Sequence, residues 1–550
     1  MMKKRILTFV LSLVMILSCV TVSAFATEAD DTWYSDEATE LYIYDAADLL
    51  AFAAQMKTGT TFDGKTVYLC NDIALTGENN YNATNQAYPF SGTFDGQGYV
   101  ISGLSTTDND YATGLIPYVA NSATIQNVTI VDSAFKGTSN VSAVVGIYSA
   151  SEANATFTMK NVYVENTVIN GTTGTAGIVG MMGNFTATGV AVEMTDIIFV
   201  DGSVTAEYRA GGIIGEILNE DGNAYANGVT LTMNRIVSDA TLDFTSYEYD
   251  AAYGSSGGNC VKAGSLIGNV EGFLSVDIKN VFVGGSLAVT TDNTGSSPLV
   301  GYIKSVNTQG ELNEDTVNSP FKLQYALAVP QMTNVAMYLS TESDAKAHSA
   351  HVTMKNIWSD TTVGTAAGRK GNNASPDSYP SGEEHKTTTD KLIGKQLFDG
   401  WVITGENDYP VPTARPVRLL GYQSSYKTDV KDANDANETY SVRLIAALND
   451  TFYTEAGFEN ITITYEGSNG EIQKGTYTCK YAYKNVHGVD KNGVEQVYAA
   501  GDYYADSLIA LEITGIPENV TEFTITLNAF AGKDDVTFDG ITRTVQISAQ

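Results

Sequence analysis

The chain has 550 residues, with 63 acidic against 31 basic side chains and a formal charge of −32. Nucleic acid and anionic membrane surfaces both require clustered cations, so this balance excludes them as partners. Hydrophobic residues make up 43% and charged residues only 17%, with 51 Gly and 32 Tyr, a mixture that favours strands over helices.

The N-terminus reads as a secretory signal: Lys3, Lys4 and Arg5 are the basic start, Ile6–Val22 the apolar stretch, and Ala24-Phe25-Ala26 the small-x-small cleavage site. A retained anchor is the competing reading, but the stretch is at the short limit for a span and Ser12, Ser18 and Thr21 interrupt it. A lipid acceptor at Cys19 fits poorly with Leu17 and Val20. Cleavage after Ala26 leaves 28 cations against 63 acids, a charge of −35, and places the chain outside the cell, either secreted or on the surface. Cys70, Cys260 and Cys479 remain, odd in number and far apart, which argues against a disulfide framework. Residues 27–40 are acidic and are expected to be disordered.

From Asp45 to Met56 the pattern is helical. Asp45 can cap it, Leu49, Leu50, Ala53 and Met56 form its apolar side, and Gly59 ends it. The helix is expected to cap a β-helix that occupies residues 41–415. Strands are predicted at Thr66–Leu69 and Asp72–Leu75. Phe90 to Ile101 reads as strand, turn, strand, with Asp95-Gly96 supplying tight-turn chemistry.

From about Tyr111 a repeat takes over. One element ends in Gly: Val144-Val145-Gly146, Gly177-Ile178-Val179-Gly180, Gly212-Ile213-Ile214-Gly215, Leu266-Ile267-Gly268 and Leu299-Val300-Gly301. The other is a strand with a polar residue near its start: Asn127, Asn161, Asp196, Asn280 or Asn356, with Arg235 in the same slot. From Asn127 to Gly146, Asn161 to Gly180 and Asp196 to Gly215 the spacing is 19 each time. Fixed-period similarity signals a stacked array, and units this short bury a core only by stacking, so a parallel β-helix is predicted. The Gly-to-Asn half varies in length, so loops are expected mainly from one edge. The insertions read as Met181–Glu193, Glu216–Leu231, Ile303–Val352 and, as the exception that lengthens the Asn-to-Gly half, Ser246–Lys262. Trp401 and Tyr409-Pro410-Val411-Pro412 are expected to seal the last rung.

Beyond a boundary near Arg415 the pattern changes to alternating strands with ordinary turns. Tyr440–Leu448, Glu459–Tyr465, Gly475–Tyr483, Leu508–Thr514, Glu522–Ala529 and Arg543–Ser548 are strand candidates, with turns at Ser468-Asn469-Gly470 and Lys491-Asn492-Gly493. Residues 416–550 are expected to form an immunoglobulin-like β-sandwich.

The segment Phe90-Ser91-Gly92-Thr93-Phe94-Asp95-Gly96-Gln97-Gly98, followed by the Gly-hydrophobic-x-Gly clusters, resembles the GLUG-motif surface proteins of Gram-positive bacteria. The resemblance covers about residues 40–415. It implies a right-handed parallel β-helix of pectate-lyase-like architecture in an exported surface protein of adhesive type, and it supplies no catalytic residues. Gly114-Leu115-Ile116-Pro117 departs from the pattern, so the first coil is expected to bend there. The C-terminal stretch resembles sandwich modules of clostridial exported proteins.

The candidate sites are few. Asn127, Asn161, Asp196, Asn280 and Asn356 read as a structural ladder, side chains bonding neighbouring rungs. No helix pattern follows the Gly clusters and no Lys-Ser/Thr pair closes them, so they read as close-packed positions, not phosphate cradles. His348 and His351, with Asp344 as the nearest third ligand, do not make a metal site, and His385 beside Glu383-Glu384 is weaker still. No cofactor motif is present. Glu216, Glu220, Asp221, Glu248 and Asp250 are acids without the paired geometry of glycosidase or lyase chemistry. Asp429, Asp432, Asn434, Asp435, Asn437 and Glu438 lack the Gly and spacing of a calcium loop and read as a solvated turn. Tyr247, Tyr249 and Tyr253, among Ser, Gly and Asn, suit sugar or protein recognition, or else seal a loop onto the coil. The favoured function is non-catalytic recognition of a neutral glycan or extracellular protein along the loop edge. The alternatives are a polysaccharide-cleaving enzyme of similar shape and a passive spacer.

Overall fold

The computed structural model describes residues 33–218 with short breaks, most of 229–245, 262–304, 321–333, 352–360 and 384–413, and strands between 418 and 546. The described residues are mostly β, and the strands from Glu40–Ile43 to Glu384–Thr387 wind as a parallel β-helix. Sheet I stacks Glu40–Ile43, Thr66–Leu69, Thr93–Asp95, Ala123–Val131, Thr156–Glu165, Ala191–Thr205, Thr230–Phe244, Ser275–Val289, Phe321–Ala328, Val352–Asp360 and Glu384–Thr387, each on the one before. Sheet II stacks Ile116–Ala120, Val145–Ser149, Val179–Gly183, Ile214–Leu218, Ile267–Glu271 and Val300–Lys304. A short sheet III stacks Thr175–Ala176, Arg209–Gly211, Lys262–Gly264 and Gly295–Ser297.

The polar slot explains how the long strands bend. Asn127, Asn161, Asp196, Arg235, Asn280, Tyr325 and Asn356 all lie at φ between +53° and +58°. One left-handed residue shifts the alternation of a strand by one place, so Met159 and Val162, three apart, both enter the core, as do Met194 and Ile197. Asn and Asp tolerate that conformation best, hence their recurrence. Register places the slots of successive coils one rung apart: Lys160 pairs with Gln126 and Val162 with Val128 on either side of Asn161 and Asn127.

The Gly positions are sites of close approach. A Cβ on Gly180 would stand 2.6 Å from the carbonyl oxygens of Gly146 and Gly174, and one on Gly215 would stand 2.6 Å from Gly180 O and Thr175 N. The chain folds sharply between sheets III and II, and only a hydrogen side chain lets the two backbones pack. Pro117 takes the place equivalent to Gly146 in the end strand of sheet II, whose pairing with Val145–Ser149 continues on both sides of it. No break occurs there, because an edge strand spares the missing N–H.

In the N-terminal part the predicted helix forms, and two other readings need correction. Helix α1 runs Ala46–Thr58; the Asp45 side chain accepts from Ala47 and Asp48 N–H, and Gly59 closes the helix at φ +114°. Its buried Phe52 meets Phe62, Phe90 and Phe94 at 5.1–6.1 Å, so the helix covers the first rung's core, but the strand Glu40–Ile43 before it already belongs to sheet I. Residues 33–40 are not disordered: Trp33 packs edge-on to Phe52 at 6.1 Å and its Nε1 donates to Tyr42 O at 2.7 Å, blocking the sheet edge. Thr93–Asp95 and Val100–Ser102 do not form a hairpin; both pair in parallel with Ala123–Val131, and Gly96 sits where a Cβ would meet Asn127 O at 2.3 Å.

Two corrections concern the far end. The segment Ile303–Val352 is not one insertion, since Phe321–Ala328 forms a complete rung of sheet I with Tyr325 in the left-handed slot. Trp401 and Tyr409–Pro412 do not seal the last rung. Phe398 packs on Tyr325 at 5.5 Å, Trp401 Nε1 donates to Asn280 Oδ1 at 3.1 Å, and Thr413 Oγ1 donates to Asp196 Oδ1 at 3.0 Å. These residues run back along the axis as a strap over the ladder.

The C-terminal strands form two antiparallel sheets. One orders Arg418–Lys427, Thr439–Asn449, Asp506–Pro517 and Thr476–Ala482; the other orders Ile472–Lys474, Ile461–Glu466, Glu522–Leu527 and Ile541–Gln546. Ser468-Asn469-Gly470 joins two paired strands, with Gly470 at φ +76°. Val486–Val489 pairs with Glu495–Tyr498 around Asn492. No helix among the described residues is long and apolar enough to cross a membrane.

Candidate functional site

The ladder is bonded unevenly. Asn127 Nδ2 donates to Asp95 Oδ1 at 3.0 Å and Asn161 Nδ2 to Asn127 Oδ1 at 2.8 Å. On the next pair of rungs Arg235 makes a bidentate contact with Asp196, Nε to Oδ1 and Nη2 to Oδ2 at 2.6 Å each. Asn280 then bonds Asn234 Oδ1 at 2.9 Å instead of its slot neighbour Arg235. Beside the ladder runs an outward column in strict register, Tyr163, Ile198, Val237, Phe282 and Leu327. All five are buried although they lie outside the core that fills the coil. The strap supplies cover at Phe282, whose ring lies 6.3 Å from that of Tyr409, while the Tyr409 hydroxyl donates to Asp360 Oδ2 at 2.7 Å. The ladder from Asp196 to Tyr325 is therefore an internal joint of the molecule.

A second polar cluster lies where sheets III and II face each other. Arg209 Nη1 is 2.7 Å from Oε2 of Glu216, seven residues on, and Lys262 Nζ on the next rung lies 4.3 Å over the ring of Tyr302, a further rung along. Earlier rungs fill the same seam with Tyr118, Ile147 and Met181. Burial, followed by the nearby charges of Tyr111 and Asp110, pushes the Tyr118 phenol up to about 12. Glu216 is buried and Arg209 partly so, which makes this seam a packed ion pair in place of an open catalytic acid.

The connections place the loops. Residues 184–190, 219–229, 272–274 and 305–320 all join the end of a sheet II strand to the start of the next sheet I strand, at one corner of the coil. The connection 245–261 leaves a different corner, from sheet I to sheet III. Tyr247, Tyr249 and Tyr253 lie in it, outside the described residues, as do Glu220, Asp221, Glu248, Asp250, His348, His351, Asp344 and the acidic cluster from Asp429 to Glu438. Among the described residues no three His, Cys, Asp or Glu side chains gather as metal ligands.

Sequence reading missed an exposed aromatic group at the first rungs. Tyr42 and Tyr68 are register partners with rings stacked at 5.6 Å and 20°, and Tyr44 lies 6.3 Å from Tyr42. The alternation of Tyr42 and Tyr44, and a Tyr at the next coil's matching place, were the available signals.

No protein-family model matches the chain, and no curated protein does. Among solved structures it is similar to a Bacteroides ovatus protein provisionally described as an immunoglobulin A1 protease, at 12% identity and a TM-score of 0.34, covering 68% of this chain and 91% of that one. A likeness that slight carries no argument about activity.

Proposed function

We propose that the chain is an exported, non-catalytic recognition protein of GLUG type, secreted or held at the cell surface after cleavage near Ala26. It binds a neutral glycan or an extracellular protein along the loop-bearing face of its β-helix. The supporting observation is the succession of connections that leave one corner on consecutive rungs, 184–190, 219–229, 272–274 and 305–320. Rungs lie about 4.8 Å apart, so the strand ends that these connections join stand side by side along the axis, an arrangement suited to a linear polymer or an extended protein surface. In this reading the coil is right-handed, and residues 416–550 pack their two sheets as an immunoglobulin-like sandwich. Gly475 stands between Ile463 of one sheet and Ile516 of the other, which supports that packing.

The alternative is a polysaccharide-cleaving enzyme. Against it, both arginines of the repeats are engaged by carboxylates, Arg209 by Glu216 and Arg235 by Asp196, so neither is poised for a substrate. The third reading is a passive spacer. A glycan array followed by a reducing-sugar assay on the hits separates the readings. Binding without cleavage supports recognition, cleavage supports the enzyme, and neither leaves the spacer or a protein ligand. If the connection 245–261 at the other corner also takes part, replacing Tyr247, Tyr249 and Tyr253 by Ala is expected to weaken binding tenfold or more with the fold intact. The scale is ~1–3 kcal/mol per stacked ring by analogy with base stacking. If that variant binds normally and removing residues 416–550 abolishes binding, recognition resides in the C-terminal part.

A further inference from the structure

We propose that the tyrosine shelf at the first rungs, Tyr42, Tyr44 and Tyr68, is a docking site for an arginine-bearing basic segment of a partner protein. The rings stand at the outward face of sheet I, Tyr42 on one strand, Tyr44 just past its end, and Tyr68 directly beside Tyr42 on the next strand. Tyr42 is 40% and Tyr44 53% exposed. Closing the coil does not require them, since Trp33 blocks the edge and α1 covers the core. The contrast with the same sheet farther along is direct: there the outward column from Tyr163 to Leu327 is buried, whereas here Tyr42 and Tyr44 are exposed and Tyr68 is half-buried.

The surroundings select the occupant. Glu40 Oε2 accepts the Tyr42 hydroxyl at 2.8 Å, Asp48 Oδ2 accepts the Tyr44 N–H at 2.8 Å, and Asp95 follows Tyr68 in the register column. The phenols register this negative field. The hydrogen bond to Glu40, then burial and the Glu40 charge, push Tyr42 up to about 12; Tyr68 is raised by burial and then by the charges of Glu40 and Asp95. Lys65 does not neutralise the patch, because its ammonium donates to Asp36 O at 2.7 Å and lies over Tyr34 at 5.6 Å. Ring faces bordered by carboxylates repel anionic ligands and suit a planar cation, which stacks on the ring while its N–H groups reach the acidic rim. The chain's overall charge of −32 would steer a basic partner toward it. A neutral sugar would use the rings but not the field.

The test is calorimetric titration of the full chain with hexa-arginine and, separately, with cellohexaose, at about 0.15 M salt. The Tyr42→Ala/Tyr44→Ala variant removes rings and no charge. It is expected to bind hexa-arginine about tenfold more weakly, two exposed cation–ring contacts being lost. Should the Ala pair alter the thermal melt, Tyr42→Leu/Tyr44→Leu retains the bulk without the π faces and should show the same loss. Unchanged hexa-arginine affinity in the ringless variant means diffuse charge attraction and overturns the proposal. So does a loss confined to cellohexaose. The site is separate from the loops: Tyr247, Tyr249 and Tyr253 replaced by Ala should leave hexa-arginine binding intact, and loss there moves the site and overturns the shelf, whatever becomes of the loop-edge reading.

Discussion

Gly180→Ala tests why the glycine clusters exist. Gly180 has no left-handed backbone to defend; its constraint is space, with Gly146 O and Gly174 O at 2.6 Å and Asn140 C at 2.7 Å from the place a methyl carbon would take. Ordinary carbon contacts lie near 3.5–4.0 Å, so three backbone atoms on two sides would each have to retreat by ~1 Å. None is the end of a flexible side chain. Retreat would stretch the parallel ladders that join Val179–Gly183 to both neighbours. Overpacking by one methyl usually costs about 1–3 kcal/mol, and this site lies at or above the top of that range, ~3 kcal/mol or more. Gly64→Ala is the matched control, because Gly64 sits at φ +68° with nothing within 4 Å, so the change costs only the left-handed conformation, about 1–2 kcal/mol. Urea unfolding gives the two costs, and hydrogen exchange locates the damage, expected at the rungs around residues 140–146, 174–183 and 209–218. A Gly180→Ala protein within about 1 kcal/mol of the parent, or less affected than Gly64→Ala, would refute close approach as the reason for the motif.

Asp196→Ala should destabilise the coil by ~2–3 kcal/mol, below the buried-pair range because the pair is 17–18% exposed, and should speed amide exchange at Val411 and Thr413, since Thr413 loses its bond to that carboxylate. Unaltered exchange there would mean that the strap is held elsewhere. Deleting residues 41–60 removes α1 and uncovers Phe62, Phe90 and Phe94; aggregation on size-exclusion chromatography is expected, and a soluble monomer counts against the capping role. Tyr81, Tyr118, Tyr148 and Tyr409 are all raised chiefly by burial, Tyr118 to about 12. The folded chain thus keeps protons that unfolded phenols release near pH 10, so this stability is complete below about pH 10 and is lost as pH rises through 12. Absorbance at 295 nm should show a class of phenols that ionise only with unfolding.

How much of this was legible depended on whether residue type or space carried the constraint. Asn127, Asn161, Asp196 and Gly146, Gly180, Gly215 recur because few residues tolerate a left-handed corner or a contact below 3 Å, and that scarcity made the parallel stack readable. The hairpin at Asp95-Gly96 was misread because a corner and a tight turn draw on the same residues; only the partner strand, Ala123–Val131, distinguishes them. The strap was hidden because its contacts join residues 121 and 217 apart in sequence, Trp401 with Asn280 and Thr413 with Asp196. The Tyr42–Tyr68 shelf was hidden for the same reason on a shorter scale, two modest strands whose register alone brings the rings together.

Tyr325 shows what such an exception costs. Its slot favours Asn, and a Tyr at φ +55° carries about 1–2 kcal/mol of backbone strain. The ring returns part of that through its edge-on contact with Phe398 at 5.5 Å, which is on the scale of 0.5–1.5 kcal/mol. Tyr325→Asn alone should therefore change stability little, relieved strain offsetting a lost contact. In a Phe398→Ala background the contact is already gone, and the same substitution should stabilise by ~1 kcal/mol. The difference between the two backgrounds, read from urea midpoints at equal slope, is the coupling between rung and strap. If Tyr325→Asn has the same effect in both, the ring does not hold the strap, and Tyr325 occupies the corner for some reason other than Phe398.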